Sequence, residues 1–342
     1  MKNINIILIL LLITINQSFS QNKQQKIKTI TANSFDTKGD TVQSNCIVKL
    51  YNKNGLETSE HDNRYYMMID MVYDSLNRMI EKDALYGESF GNGTTFYSYT
   101  SNKTFEKEHA MGFYRELEKE MNRSGQITAE KELFLSGYYG QNSVSTTKYI
   151  YSSNLLKSKE TITKSYEFDQ EYVNMDFNRP EELINKILKS KMVEEIKTTV
   201  NYEYNDSKQL ITETEKNPTS IKIKTYTYNP ETKLKIKETQ KTDNFLSYEL
   251  ITNYNKAQKI TKETKLFYYE SSDEKGASTI TKTDNTIEYQ YDEFGNITKI
   301  TEYSDNKKYS DQIFENGQLT KEISYDTQDE IYEILIYVYT YY

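Results

Sequence analysis

The chain has 342 residues and a net charge of −8, with 51 acidic against 43 basic side chains; this argues against a nucleic-acid groove, which needs a basic face to neutralise phosphates. Only five of the basic residues are Arg, and Lys and Glu are mixed along the chain as on a solvated surface. Thirty-two tyrosines, no tryptophan and three prolines favour pleated, half-buried strands.

Residues 1–20 read as a signal peptide: Lys2, an apolar run from Ile4 to Ile15, and Ser18-Phe19-Ser20 as a small-residue cleavage site. The run is short of the about 20 apolar residues that cross a bilayer. Cleavage after Ser20 is expected, leaving a chain that is secreted, periplasmic or on the cell surface. Residues 21–46 form an N-terminal segment with a first strand. Cys46 is the only cysteine, so no intrachain disulfide can form. Within "CIVKLY" it reads as a buried thiol rather than a nucleophile.

From residue 47 a pattern recurs. An aromatic or apolar anchor is followed at once by Asn or Asp: Tyr51-Asn52, Tyr73-Asp74, Met121-Asn122, Tyr204-Asn205, Tyr228-Asn229, Tyr254-Asn255 and Tyr291-Asp292, with Phe314-Glu315 as a looser copy. Four places after the anchor stand Gly55, Asn77, Gly125, Lys208, Thr232, Gln258 and Gly295, and an apolar residue follows. The Asx side chain bonds the loop's own amides, and the Gly or Asn supplies a positive φ. Each copy is therefore expected to be a hairpin, with the Lys, Thr and Gln copies less well specified or of another geometry. Tyr202 and Tyr204, Tyr226 and Tyr228, and Tyr289 and Tyr291 stand two apart, on one face of a strand; Glu203, Thr227 and Gln290 face the other way. The outgoing strands "LITETEK", "LKIKETQ", "ITKETKL" and "ITKITEY" mix apolar residues with Thr, Lys and Glu, as a sheet with one wet face does. A period of this length means stacked supersecondary units that bury one another.

"GESFGNG" at 87–93 is read as a loop, because it lacks the Lys and the following helix of a phosphate-binding loop. "NRPEELINKILKSKMVEEI" at 178–196 carries Leu183, Ile184, Ile187, Leu188 and Met192 at helical spacing, with Pro180, Glu181 and Glu182 suited to a first turn. It is expected to be a helix strapped over part of the sheet. The terminal "IYEILIYVYTYY" is a strand. Its aromatic alternation also fits an outer-membrane barrel, but frequent Lys and Glu and a mean hydropathy of −0.82 weigh against a lipid-facing band.

The stretch "YQYDEFGNITKITEY" resembles the YD repeat, or Rhs repeat, of bacterial Rhs and insecticidal toxin-complex proteins and of animal teneurins. Tyr289, Tyr291, Asp292, Gly295, Asn296 and Ile297 match its Y-x-Y-D-x-x-G-(N/R)-apolar pattern. Tyr202, Tyr204, Asn205 and Leu210, and Tyr226, Tyr228, Asn229 and Leu234, match more loosely. The resemblance spans about residues 47–342 and implies a long spiralling β-sheet, in the largest relatives closed into a shell.

These readings combine into an all-β chain: tandem β-hairpin repeats in an elongated, curved single sheet or partly closed shell, with edge strands protected by Lys and one inserted helix near 180–196. The repeat domain runs from 47 to 342. With two histidines (His61 and His109), no paired metal-ligand spacing and no nucleotide motif, no catalytic residue, metal or cofactor is assigned. The expected function is a non-catalytic secreted or cell-envelope scaffold or binding protein of a bacterium, contacting protein or envelope glycan through the sheet. The alternative is a polysaccharide-acting enzyme using carboxylates on the concave face. An inert structural or toxin-shell fragment is a third reading.

Overall fold

The computed structural model describes residues 26–86, 92–110, 113–136, 142–167, 180–272 and 278–342. The expected signal peptide at 1–20, residues 87–91 of the segment read as a loop and residues 178–179 of the segment read as helical lie outside them, while Asn92 and Gly93 of the expected loop open a strand. Among the described residues, twenty-two strands form an antiparallel sheet. In chain order they are β1 (Ile27–Phe35), β2 (Thr41–Tyr51), β3 (Glu57–Asp62), β4 (Met67–Tyr73), β5 (Met79–Tyr86), β6 (Asn92–Tyr99), β7 (Lys103–Ala110) and β8 (Phe113–Met121). Next come β9 (Ile127–Ser136), β10 (Asn142–Ser152), β11 (Leu155–Tyr166), helix α1 (Pro180–Leu188), β12 (Met192–Tyr204), β13 (Leu210–Lys216), β14 (Ile221–Tyr228) and β15 (Lys235–Thr242). The last are β16 (Phe245–Tyr254), β17 (Ile260–Ser272), β18 (Ser278–Tyr291), β19 (Ile297–Ser304), β20 (Lys307–Glu315), β21 (Gln318–Tyr325) and β22 (Ile331–Tyr341).

The chain divides into two compact units. One contains the described residues up to Arg64 with Glu288–Glu302 and Lys307–Tyr342; the other contains Tyr65–Ile287 and Tyr303–Asn306. In the first, β1 is hydrogen-bonded on both sides, to β2 and to β22. Of the expected open sheet or partly closed shell, the open form is corrected: β22 is bonded to both β21 and β1, so neither the first nor the last strand is an exposed edge. Its core is Ala32, Cys46, Ile47 and Leu335, with Tyr337 against them. Cys46 is fully buried, its thiol donates to the Ala32 carbonyl at 3.2 Å, and burial pushes its pKa up, so it is the inert thiol that its apolar neighbours foretold.

The second unit pairs β4 with β5 and then strand by strand from β5 to β17, each with its neighbour in sequence. Its core is Tyr114, Leu133, Leu135 and Ile187, the last from α1. The helix therefore straps the sheet, as expected. It is shorter than its apolar spacing predicts. Ser190 N–H bonds the Ile187 carbonyl at 2.9 Å in a closing 3₁₀-type turn, and from Met192 the chain is strand, with Ile196 opposite Thr163 and Glu194 opposite Ser165 on β11. Pairing with β11 outweighs the helical spacing of Leu188 and Met192, the local preference of one turn being worth little against a ladder of bonds.

Candidate functional site

The site that the sequence singles out is the repeated Tyr-x-Tyr-Asx hairpin. In eight loops of one design the Asx starts the turn and a residue three places on adopts positive φ: Gly39, Gly55, Asn77, Gly125, Lys208, Gln258, Gly295 and Asp329. Asn205 N–H bonds the Gln209 carbonyl, and Asn205 Oδ1 accepts from Gln209 N–H, each at 2.9 Å. Asp292 Oδ1 accepts from Asn296 N–H at 2.7 Å, and its second oxygen from the Asn296 side chain at 2.9 Å; bonds of this kind hold the Asp292 carboxyl below its usual range. The Lys208 and Gln258 copies thus keep the common geometry at an L-residue's cost. The Thr232 copy differs: the loop is one residue longer, Asn229 Oδ1 accepts from Glu231 and Thr232 N–H, and Lys233 takes the positive φ of 61°. The strand register shifts immediately before the anchor in these hairpins, for example between Glu203 and Tyr204 and between Thr227 and Tyr228. This bulge supplies the extra residue that the five-residue loop needs.

Tyr202, Tyr204, Tyr226, Tyr228, Tyr289 and Tyr291 are all half-buried, while Glu203, Thr227 and Gln290 are exposed, as their alternation requires. The first two Tyr pairs stand on β12 and β14 with β13 between them. Glu213 of β13 lies directly opposite Tyr202 and accepts a long hydrogen bond, 3.4 Å, from Tyr226. The third pair, with Asp292, Gly295, Asn296 and Ile297, belongs to the other unit.

A regular contact that the sequence does not spell joins the copies. The hydroxyl of the anchors Tyr204, Tyr228 and Tyr254, and of Tyr99, Tyr151 and Tyr339 near the ends of other strands, donates to a main-chain carbonyl at the start of the strand before it: Tyr99 to Met79, Tyr151 to Ile127, Tyr204 to Leu156, Tyr228 to Leu210, Tyr254 to Lys235 and Tyr339 to Leu319, all at 2.8 Å; the anchors Tyr51 and Tyr73 turn instead to Glu57 and to the Met71 sulfur. Cations cover some of these rings, Arg78 at 4.6 Å from the Tyr99 centroid and Lys157 at 5.3 Å from that of Tyr204. The tyrosine two places earlier meets carboxylates: Tyr149 donates to Glu130 at 2.5 Å and Tyr337 to Glu322 at 3.0 Å. Burial, with help from other carboxylates (Glu106 and Glu108, Glu213 and Glu215, and Glu238 and Glu263 respectively), raises Tyr97, Tyr202 and Tyr248 to about 12.

The carboxylates are largely compensated. Lys235 pairs with Glu238 at 2.9 Å, Lys237 with Glu249 at 2.5 Å, and Arg115 with Glu132 at 2.6 Å and Glu106 at 2.9 Å. Asp311 is buried and meets four partners: Lys299, Lys308, Thr301 and Tyr325. Burial alone would raise its pKa, but these bonds hold it at about 2. Two carboxyls go the other way: burial pushes up Glu57, which accepts from Tyr51, and Glu322, to which Glu302 and Glu333 add their charge. Among the described residues no three His, Cys, Asp or Glu side chains gather closely enough to hold a metal ion, and no helix is long and apolar enough to cross a membrane.

Sequence reasoning missed two copies that were legible, Phe35-Asp36 with Gly39 and Tyr325-Asp326 with Asp329, where the Asp carboxyl bonds the loop amides in the same way. It also missed a cavity of about 350 Å³ beside α1, made by residues from five strands and the helix, for which no local signal exists.

Fold and site together define a class, an antiparallel all-β chain of tandem Asx-turn hairpins. No protein-family profile and no curated protein matches the sequence. Among solved structures it is similar to a chain of TcdB2-TccC3-Cdc42, with 12% identity, 86% of this chain covered and a TM-score of 0.27; the chain spans only 18% of that one. It is also similar to a porin-like protein from Bacteroides uniformis ATCC 8492, with 10% identity over 92% of this chain and 98% of the other, at a TM-score of 0.25. A porin-like protein from Bacteroides vulgatus ATCC 8482 shows 7% identity over 93% and 99%, at 0.24.

Proposed function

We propose that the protein is a non-catalytic secreted or cell-envelope scaffold, built from YD-like repeats, that contacts protein or envelope glycan through its extended β-sheet. The observation that carries this reading is the ladder itself. Tyrosine hydroxyls are spent on main-chain carbonyls of the neighbouring hairpin, and the charged groups between the rings are spent on one another. Side chains committed in this way build a surface rather than a reaction centre. Half-buried rings recurring on alternate strands, about 10 Å apart from the usual strand spacing, offer a repeating set of contacts to an extended partner. Charged pairs on strand interiors, such as Lys237 with Glu249, favour contact with water-borne partners over lipid.

The test is a glycan array together with a pull-down from envelope extracts, using the chain from Gln21 onward. Binding to a glycan or envelope protein that is lost when Tyr202 and Tyr226 are both replaced by Ala, with the fold retained, supports the proposal. No binding in either format removes it. The second reading, a polysaccharide-acting enzyme, would rest on Glu322, whose carboxyl burial and the nearby Glu302 and Glu333 push upward as a general acid requires. Hydrolysis of an envelope polysaccharide that Glu322→Gln abolishes would favour it over the scaffold.

A further inference from the structure

We propose that the cavity beside α1 binds a small amphiphile, a monocarboxylate with a hydrocarbon tail. Its volume of about 350 Å³ falls in the range of small-molecule sites, roughly 300–1,000 Å³. Phe105 and Val144 from the sheet and Ile184 and Leu188 from the helix supply apolar walls that suit a tail. The polar groups around it are unbalanced in one direction. Glu116 is taken up by Lys107 at 2.8 Å and by the Tyr114 hydroxyl, and Glu118 by Lys103 at 2.6 Å. Lys131, which also lines the cavity, is exposed; it helps to lower the pKa of Glu116 but forms no ion pair among the described residues. A second donor surplus lies close by. Asn142 is only 3% exposed, and its side-chain N–H₂ has no acceptor. In the sheet register it stands opposite Tyr166, itself a lining residue, and two places before Val144.

The lining carboxylates have cationic partners, whereas among the described residues Lys131 has no ion pair and the nearby Asn142 side-chain amide N–H₂ no acceptor, so the fitting occupant brings an acceptor, and the ammonium of Lys131 selects an anionic one. The apolar walls select a tail over a bare ion. Because the site lies on the face of β10 that carries Val144, opposite to that of Tyr149 and Tyr151, it is separate from the tyrosine ladder, and its fate does not depend on the scaffold reading.

Calorimetric titration of the chain from Gln21 onward with decanoate below its micellar concentration, and with decanol as the uncharged control, tests the proposal. Decanoate should bind with one site per chain, and each methylene added from hexanoate to decanoate should tighten binding about threefold to fourfold. Lys131→Gln, a surface change, should weaken decanoate about threefold to tenfold and leave decanol unchanged. Leu188→Trp, which fills the cavity, should abolish both while circular dichroism stays as in the parent; should it disturb α1, Val144→Phe serves in its place. No binding by the parent at millimolar decanoate, or binding that ignores both the lysine and the cavity-filling changes, overturns the assignment.

Discussion

Replacing an anchor tyrosine by phenylalanine removes one hydroxyl and keeps the ring. At Tyr228 the lost contact is the 2.8 Å bond to the Leu210 carbonyl, and the same change can be made at Tyr99, Tyr151, Tyr204 and Tyr254. A hydrogen bond of this kind contributes about 0.5–1.5 kcal/mol net. Each single variant should therefore lower stability by about 1 kcal/mol. The anchors on β12, β14 and β16 are separated by intervening strands, roughly 10 Å from one to the next, and share no hydroxyl acceptor, so their effects should nearly add. The five together should cost about 5 kcal/mol, which is comparable with the whole stability of many domains. Equilibrium urea unfolding reads this as a lowered midpoint with an unchanged slope. Tyr269, 54% exposed, is the control, and Tyr269→Phe should stay within about 0.5 kcal/mol of the parent. A five-fold variant that loses less than about 1 kcal/mol would refute the claim that the hydroxyls tie the hairpins together.

Other outcomes follow from single groups. Asp311, held near 2 from an ordinary 3.8, adds stability that is complete above about pH 4 and is lost as pH falls through about 2. Asp311→Asn should cost on the order of 2 kcal/mol at neutral pH and flatten the acid limb of a stability profile between those values. Tyr97, Tyr202 and Tyr248 are raised from 10 to about 12, so the folded state keeps them protonated. The stability that they lend is present below about pH 10 and is lost between about 10 and 12, where absorbance of tyrosinate should rise later than in the urea-unfolded chain. Lys208→Gly and Gln258→Gly relieve left-handed backbone at φ of 62° and 61°, and each should stabilise by about 0.5–1 kcal/mol in thermal unfolding. Ile187→Ala empties a buried position under α1 and should cost about 2–5 kcal/mol, with proteolysis cutting first at 180–191.

Much of this fold can be read in the sequence because its parts are local. The alternation of Tyr202, Glu203 and Tyr204 sets which side chains are half-buried, and Asn205 or Asp292 sets the turn, each within a span of five residues. What could not be read depends on partners far along the chain. Met192 continues the helical spacing of α1 but pairs with Tyr166, a choice made by a strand edge 26 residues away in sequence. Pairing of β1 with β22 joins residues at opposite ends of the chain, so no periodicity announces it. Lys208 and Gln258 show that the loop, once flanked by the bulge and the Asx bond, imposes its geometry on residues that would not choose it. The cavity beside α1 and the four-partner cluster at Asp311 arise only when separate strands meet, which is why no motif marks them.

The central claim is that each hairpin is held by its immediate neighbours. Gly295 has φ of 83°, a conformation that a β-branched residue resists strongly. Hydrogen–deuterium exchange on Gly295→Val measures the consequence strand by strand. The account predicts lost amide protection in β18, β19 and the strands bonded to them, with β6 to β12 unchanged from the parent. Protection lost evenly along all 22 strands would contradict it.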